Sequence, residues 1–265
     1  MKVLFLGEVV GLPIVRALKK KIKAVKSYYQ VDFIFCNADG ASDGYGILAE
    51  TAAELLNLGF DCLTGGDLIY NKRNIKDFIG YNALLRPYNL PPSSPGRGYK
   101  IFTLSSGKKL AVISLLGRNN FNKIFAGDPY HIEETLLNYL AKDNINSVII
   151  DFHGGTTSEI QSLQWLLAGK VSAVLGTHAR VLTADSRILN SHTAVVTGLG
   201  ICGSPYSIAG FSADVEISKI KSGRFSYSRI DKDNIVIQGV LLDINEATGK
   251  AESIETINRA LSDFN

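Results

Sequence analysis

Short apolar runs that end in glycine or a polar residue recur along most of the chain. The run 2–7 (KVLFLG) is almost continuously apolar and predicts a buried strand. Pro13 then suits the first turn of a helix, and apolar residues recur at helical spacing from Ile14 to Val25. The lysines between them predict a solvated helix face. The chain therefore begins with a strand and an amphipathic helix.

The same order of strand and helix continues along the chain. Further strands are predicted at 31–39, 61–67, 108–117, 147–155, 172–180 and 193–203, and further helices at 46–59 and from Asp128 and Pro129 onward. The proline-rich segment 84–99 is predicted to be an ordered loop rather than a domain linker, because a strand-like run follows it.

The last part of the chain has a different pattern. Residues 213–220, 234–245 and 250–257 each resemble a strand, so consecutive strands are predicted to close the fold as a sheet. Alternating strands and helices followed by a β-rich end indicate an α/β fold with antiparallel parts. We predict a single domain that spans residues 1–265.

Composition and charge exclude several classes of protein. The 265 residues carry a formal net charge of +3, which is too small to indicate nucleic-acid binding. No apolar stretch reaches the roughly 20 residues of a membrane span, and no signal peptide is apparent. Cys36, Cys62 and Cys202 are widely separated, which is typical of reduced thiols. We therefore expect a cytoplasmic protein without a membrane partner, and a homo-oligomer is left open.

Side chains that can bind metals fall at the ends of the predicted strands. Glu8, Asp39, Asp67, His153 and His178 each follow an apolar run within a residue or two. Each alone could be a capping, turn or buried residue, but five in register are much harder to explain that way. Carboxylates with imidazoles suit Mn, Fe or Zn, and two ions about 3.5–4 Å apart can clamp a phosphate ester and activate water.

Several longer segments resemble one known family. They include FLGEVVG near the start, LLRPYNLPPSSPGRG in the loop, IDFHGGTTSE at 150–159, VLGTHARVLTAD at 174–185, and TGLGICG. With these segments the chain resembles the bacterial YmdB-type metallophosphoesterases nearly from end to end. The resemblance implies an α/β/β/α sandwich of two mixed sheets flanked by helices. It also implies a di-metal centre, often with iron, and hydrolysis of phosphodiesters with cyclic nucleotides as substrates.

The chain departs from the family pattern at four of the five motifs. The family has Gly-Asp, Asn-Gly-Glu-Asn, Gly-Asn-His and Thr-His-Thr-His where this chain has Gly7-Glu8, Asn37-Ala38-Asp39-Gly40, Gly66-Asp67-Leu68 and Thr177-His178-Ala179-Arg180. The resemblance still implies that the three acids and two histidines at the strand ends hold one or two ions. Iron or manganese is expected, with zinc or magnesium as alternatives, and no ion if the centre is degenerate.

Two of these departures bear directly on chemistry. Leu68 stands where the family has a histidine that is expected to protonate the leaving oxygen, and general acids typically contribute about 10²–10⁴ in rate. Within 64–71, Tyr70 is the one residue that could substitute for it, but the ordinary pKa of tyrosine is too high for a natural replacement. Arg180 places a permanent cation where a metal-binding imidazole would lie, and it is expected to pair with Asp39 or Asp67.

The resemblance and its departures lead to two hypotheses about function, which belong to different classes. The first is a metal-dependent phosphodiesterase with a modified centre that acts on cyclic nucleotides or related phosphodiesters. The second is an inactive family member that binds a nucleotide or phosphate and acts as a regulator. In the second case Arg180 and the backbone N–H groups of the glycine-rich segment, including Gly198 and Gly200, would contact the phosphate.

Overall fold

The computed structural model describes residues 1–80, 82–121 and 124–265. The helices are α1 (Leu12–Tyr29), α2 (Ala49–Asn57), α3 (Ile75–Phe78), α4 (Asn138–Lys142), α5 (Thr157–Leu166) and α6 (Ala213–Ser222), with 3₁₀ turns at Pro129–His131 and Leu261–Asp263 and a π-helical turn at Glu133–Leu137. The strands are β1 (Lys2–Leu6), β2 (Glu8–Val9), β3 (Phe33–Asn37), β4 (Cys62–Thr64), β5 (Leu84–Leu85), β6 (Tyr99–Thr103), β7 (Lys109–Leu116), β8 (Ser147–His153), β9 (Ala173–Thr177), β10 (Arg187–Leu189), β11 (Thr193–Val196), β12 (Ile201–Gly203), β13 (Val236–Ile244) and β14 (Ala251–Ala260).

The strands form two mixed sheets. In the first, the order is β2-β12-β13-β1-β3-β4-β5, with β14 also pairing with β13. Its central strands β1, β3, β4 and β5 are parallel, whereas β13 is antiparallel to both β1 and β14. The second sheet has the order β10-β11-β9-β8-β7-β6 and is parallel except at its edges. The carboxyl ends of β3, β4, β8 and β9 carry the polar residues described below.

Three apolar clusters separate the layers of the fold. Successive residues of a strand face opposite sides of the sheet. In β1, Val3 and Phe5 enter the cluster between the two sheets, whereas Leu4 and Leu6 pack with α1. A third cluster joins the outer face of the second sheet to α5. This layering confirms the α/β/β/α sandwich that the sequence predicts.

The predicted first helix and the cysteine assignment agree with the structure. Helix α1 starts with Pro13 in its first turn and buries one apolar face that includes Ile14 and Val25. The three cysteines are buried and unpaired. Among the described residues, no helix combines the length and apolar character required to cross a bilayer.

The predicted strand at 213–220 is wrong, because these residues form helix α6. Their alternating apolar and polar residues resemble a half-buried strand, but no residue of α6 is buried. Helical end signals decide the conformation instead. Asp214 and Glu216 lie in the first turn, Lys219 lies in the last turn and pairs with Glu216, and Gly223 ends the helix in the left-handed conformation.

The predicted strand 193–203 is also wrong as a single element. It comprises two strands that belong to different sheets, β11 in the second and β12 in the first. The chain crosses between the sheets at 197–200, where Gly200 has a φ of 81° that disfavours other residues. The segment therefore connects the two layers beside the site.

Candidate functional site

A buried polar network joins the two sheets at the ends of their parallel strands. The carboxylate of Asp151, on β8, accepts hydrogen bonds from Asn37 Nδ2 at 2.9 Å, Thr64 Oγ1 at 2.5 Å and Thr177 Oγ1 at 2.6 Å. Burial raises the pKa of Asp151, and these donors oppose the rise. The strand-end pattern of the sequence does not predict this network. The two-residue spacing of Asp151 and His153, which places both on the inner face of β8, was the available signal.

The network fixes the orientation of the His153 ring. Thr177 donates its hydroxyl proton to Asp151, so its oxygen is left to accept from His153 Nδ1, which lies 3.1 Å away. In the neutral ring, the lone pair is then on Nε2. That nitrogen lies 3.0 Å from Asp67 Oδ1 and 3.1 Å from His178 Nδ1. Nε2 of His153 therefore faces Asp67 and His178, where it could bind a metal ion, while Thr177 and Asp151 hold the Nδ1 side of the ring.

Asp67, His153 and His178 form a group that could hold a metal ion. One donor atom from each lies within 4.8 Å of the others. Burial raises the pKa of Asp67, but the hydrogen bond and charge of His153 outweigh it and lower the pKa below its ordinary value. Burial, followed by the charge of His153, lowers the pKa of His178. Asp67 is therefore a carboxylate and His178 a neutral imidazole near neutral pH.

His153 carries the positive charge of this group. Burial lowers the pKa of His153, but the hydrogen bond to Asp67 and the charges of Asp39 and Glu8 raise it to about 9. A carboxylate oxygen with two imidazole nitrogens is a donor set that suits a divalent ion and leaves coordination positions free. These residues fit a divalent ion. The ion could replace the proton on His153, and the nearby carboxylates that stabilise the proton would also stabilise the ion.

Asp39 holds the turn that carries Asp67. Its side chain is buried, and it accepts the Gly66 N–H at 2.6 Å and the Leu68 N–H at 2.9 Å. Burial raises the pKa of Asp39 to about 7. A Cβ on Gly66 would lie 2.4 Å from the ring of His153, so only glycine allows this close approach. The turn 65–68 is thus fitted against the imidazole.

Glu8 and Arg180 form a buried ion pair on the other side of the cavity floor. Arg180 Nη2 lies 2.6 Å from Glu8 Oε1, and the two side chains are 10% and 2% exposed. Arg180 also donates to the carbonyls of Gly44 and Ala209, both at 2.8 Å. The expected pairing of Arg180 with Asp39 or Asp67 is therefore wrong, because the guanidinium instead reaches across to β2.

The backbone after β9 aims two side chains into the cavity from one short segment. His178 and Arg180 have φ values of 98° and 55°, in the left-handed region that residues with a side chain rarely adopt. Such conformations persist when surrounding contacts impose them, and they concentrate at functional sites. His178 consequently joins Asp67, while Arg180, two residues later, joins Glu8.

Leu68 lines the cavity but offers no ionisable group. Within 64–71, Asp67 is the one residue whose ionisable side chain lines it. The Tyr70 hydroxyl donates to the carbonyl of Pro95 and lies outside the lining. Tyr70 therefore does not take the place of the missing histidine.

The cavity above these groups has a volume of about 590 Å³ and aromatic walls. The Phe121 ring centroid lies 4.9 Å from that of His178. Tyr45 also lines the cavity, is half-exposed, and stacks on Phe211, with ring centroids 5.0 Å apart. Glu159, from the TSE part of the family motif, accepts the Arg118 N–H at 2.6 Å and so fixes the turn before Phe121. A polar floor thus lies between apolar walls.

Gly198 and Gly200 make structural contacts and are not among the residues that line the cavity. The Gly198 N–H donates to Thr183 Oγ1 at 2.9 Å, and the Gly200 carbonyl accepts from the Glu8 N–H at 3.2 Å. The other two histidines, His131 and His192, also lie outside the lining.

Comparison with known proteins identifies the family. The family model described as "YmdB-like protein" matches residues 4–257. A Bacillus subtilis protein named 2',3'-cyclic-nucleotide 2'-phosphodiesterase is 35% identical over 258 residues, which cover 97% of this chain and 96% of that protein. A novel phosphatase from Mycoplasma pneumoniae with a known crystal structure is 27% identical in sequence. The two structures superpose with a TM-score of 0.89 over 98% of this chain and 93% of that one.

A more distant structure places the fold in a wider group. The calcineurin-like phosphoesterase YfkN of Bacillus subtilis superposes with a TM-score of 0.51, covering 98% of this chain and 91% of that one. At 10% identity this likeness concerns the fold alone. The end-to-end match to the family model and the 35% identity decide the closer relationship. The chain belongs to the YmdB-like protein family of phosphoesterases.

Proposed function

We propose that this protein is a metal-dependent phosphodiesterase of the cytoplasm that hydrolyses cyclic nucleotides or related small phosphodiesters. The observation that carries the proposal is the convergence of Asp67, His153 and His178 on the floor of the cavity. The name of the Bacillus subtilis relative, a 2',3'-cyclic-nucleotide 2'-phosphodiesterase, suggests the substrate class to test.

Asp67, His153 and His178 would hold the ion, which we expect to be manganese or iron, with zinc or magnesium as alternatives. When bound, such an ion polarises a phosphoryl oxygen and lowers the pKa of water. Thr177 keeps Nε2 of His153 free for this role, and Asp39 holds the turn that presents Asp67. These two residues position donors rather than contact the substrate.

The shape of the cavity supports a nucleotide-sized substrate. Its volume of about 590 Å³ lies within the roughly 300–1,000 Å³ that is usual for small-molecule sites. A phosphodiester near the metal-binding group would leave its organic part between the aromatic rings of Tyr45 and Phe121, where a base could stack. Apolar walls with a few convergent polar groups are typical of such sites.

The loss of a general acid at Leu68 predicts which substrates react well. A ribose hydroxyl is a poor leaving group that benefits from protonation, whereas p-nitrophenolate leaves without a proton. We therefore expect the protein to hydrolyse bis-p-nitrophenyl phosphate more readily than a 2',3'-cyclic nucleotide. Leu68→His should raise turnover of the cyclic nucleotide by up to about 10²-fold and change that of the nitrophenyl ester much less.

A direct test measures metal content and hydrolysis together. The purified protein is stripped with a chelator and reloaded with Mn²⁺ or Fe²⁺, and both substrates are then assayed. His153→Ala should lose the ion and the activity, whereas His131→Ala, at an exposed position, should retain both. A metal-free protein whose background turnover is unaffected by His153→Ala would disprove the proposed function.

The second candidate is a binding protein without catalysis, and two observations favour it. Leu68 provides no acid, and Glu8, which a di-metal enzyme would use as a ligand, is instead paired with the Arg180 guanidinium. A binding protein would be stabilised thermally by a cyclic nucleotide or inorganic phosphate and would leave the nucleotide intact. Ligand-dependent stabilisation with no product by chromatography would support this function over the first.

A further inference from the structure

We infer that the Arg180 guanidinium takes the place of a second metal ion, so that the centre holds one divalent ion per chain. The inference rests on the proposed metal-dependent function and specifies the number of ions and the residues that set it. The relevant half of the cavity floor consists of Glu8, Arg180 and the backbone around Gly40 and Gly44.

Glu8 is already engaged by a permanent cation. Its Oε1 lies 2.6 Å from Arg180 Nη2, and burial shields both side chains from competing water. A guanidinium stays protonated in proteins and does not act as an ordinary metal ligand. A second ion next to Glu8 would therefore have to displace Arg180 or lie against its charge.

Arg180 is also fixed in place by contacts other than Glu8. Its two terminal nitrogens donate to the carbonyls of Gly44 and Ala209, which belong to two different loops. Its guanidinium carbon lies 5.8 Å from the ring centroid of Phe211. Swinging the side chain away would break these contacts along with the ion pair, so Arg180 is part of the cavity floor and not a mobile gate.

Gly40 provides the space for the ion pair. A Cβ at this position would lie 2.7 Å from both Arg180 Nη2 and Glu8 Oε1, which is closer than such atoms approach. The corresponding position of the family motif is asparagine, and its side chain could not fit beside the pair without a shift. The changes to glycine at 40 and arginine at 180 are thus sterically coupled.

The potential metal ligands show the same division. Among the described residues, the group of three donors that could hold an ion comprises Asp67, His153 and His178 and does not include Glu8. One half of the floor therefore presents lone pairs toward a common point, and the other half is neutralised by the protein itself. This arrangement favours a single ion.

The test counts ions in the whole protein and in variants. Chelator-stripped protein is reloaded with excess Mn²⁺ and desalted, and manganese per chain is measured by elemental analysis and by electron paramagnetic resonance. The wild-type protein should contain one ion and give the spectrum of isolated Mn²⁺. The double variant Gly40→Asn with Arg180→His restores the family residues and should rise to two ions with the broadened spectrum of a coupled pair.

Two further variants make the result decisive if the double variant does not fold. Glu8→Gln should retain one ion, because Glu8 pairs with Arg180 and is not a ligand in this inference. Arg259→Ala, which removes an arginine on β14 beside Tyr28, should also retain one ion and controls for the loss of positive charge.

Each outcome distinguishes the inference from the function on which it rests. Two ions in the wild-type protein, loss of the ion in folded Glu8→Gln, or a folded double variant that stays at one ion would overturn the inference alone. A wild-type protein that binds no manganese would overturn both the inference and the metal-dependent function.

Discussion

The two halves of the cavity floor are built from the same kinds of strand end but differ in how charge is compensated. In one half, Asp67, His153 and His178 converge, and their charge balance depends on a proton held by His153. In the other half, Glu8 is neutralised by Arg180, a cation that cannot dissociate. The group of Asp67, His153 and His178 could therefore exchange its proton for a cation. The Glu8–Arg180 pair holds no proton that could be exchanged in this way.

This difference comes largely from one short segment. His178 and Arg180 are two residues apart and both have left-handed backbone conformations, yet they serve opposite halves. A change in the segment after β9 can thus alter the number of charges that the cavity offers without altering the fold.

Arg180→Ala should destabilise the protein more than any other change considered. It leaves the carboxylate of Glu8 buried without its cationic partner. Removing one partner of a buried ion pair lowers the free energy of unfolding by about 3–5 kcal/mol. Urea unfolding of the metal-free protein measures the loss, with Arg259→Ala as the matched arginine control. An equal loss in the two variants would show that the Glu8–Arg180 pair has no special structural role.

Gly66→Ala should disturb the half of the floor that contains Asp67, His153 and His178 while leaving each of these three residues unchanged. The added methyl would lie 2.4 Å from the His153 ring, and overpacking of this kind costs about 1–3 kcal/mol. Displacement of the ring should also weaken Mn²⁺ binding, measured by titration calorimetry. Gly80→Ala is the matched control, since a methyl there meets nothing within 4 Å. Equal manganese affinity in the two variants would contradict the role of Gly66.

Asp151→Asn should weaken the binding of Mn²⁺ by Asp67, His153 and His178, although Asp151 is not one of the proposed ligands. The amide keeps one acceptor oxygen and replaces the other with a donor, so it cannot accept from Thr177 and also from Asn37 and Thr64 on opposite sides. Thr177 is then less well oriented, and the lone pair of His153 is less well fixed on Nε2. Changes to such supporting residues usually cost about 10–100-fold in metal affinity. The dissociation constant for Mn²⁺ measures the effect, and the Glu8–Arg180 half should be undisturbed. An unchanged affinity for Mn²⁺ would show that Asp151 does not support metal binding by His153.

Raising the pH should reduce the stability of the metal-free protein. The pKa of His153 rises from 6.5 to about 9 on folding, so the native state holds this proton more tightly than the unfolded chain. This stabilisation is complete below pH 6.5 and is lost as the pH rises through 9. The free energy of unfolding should fall by up to about 1.4 kcal/mol per pH unit in that window.

Urea denaturation at a series of pH values checks this dependence. His153→Asn should flatten the slope, because the titrating group is gone, and saturating Mn²⁺ should do the same if the ion replaces the proton. Arg180 stays protonated in this range, so it should contribute nothing to the pH dependence of the free energy of unfolding. A wild-type slope that survives His153→Asn would assign the effect to another group.

Much of the fold followed from sequence periodicity. The nearly continuous apolar runs of β1 and β8 predict strands buried on both faces, and the helical spacing in α1 predicts its buried face. The pattern failed at 213–220, where alternating residues lie in an exposed helix. Alternation indicates a strand only if one face becomes buried, and burial is a property of the packed molecule.

The site was predictable only in part, for a similar reason. Parallel strands end at one edge of a sheet, so the sequence predicts that Asp39 lies near Asp67 and that His153 lies near His178. It does not predict that Asp151 supports His153 through Thr177, because that network includes side chains from both sheets.

Local sequence patterns specify the family, the layered α/β architecture, and the strand ends that carry acids and histidines. The packing of the folded chain specifies which charges meet. Glu8 and Arg180 are 172 positions apart in the chain, and their contact depends on how the loop after β9 crosses the cavity toward β2. A local pattern specifies the face a residue occupies, whereas its partner is specified by the packing of one sheet against the other.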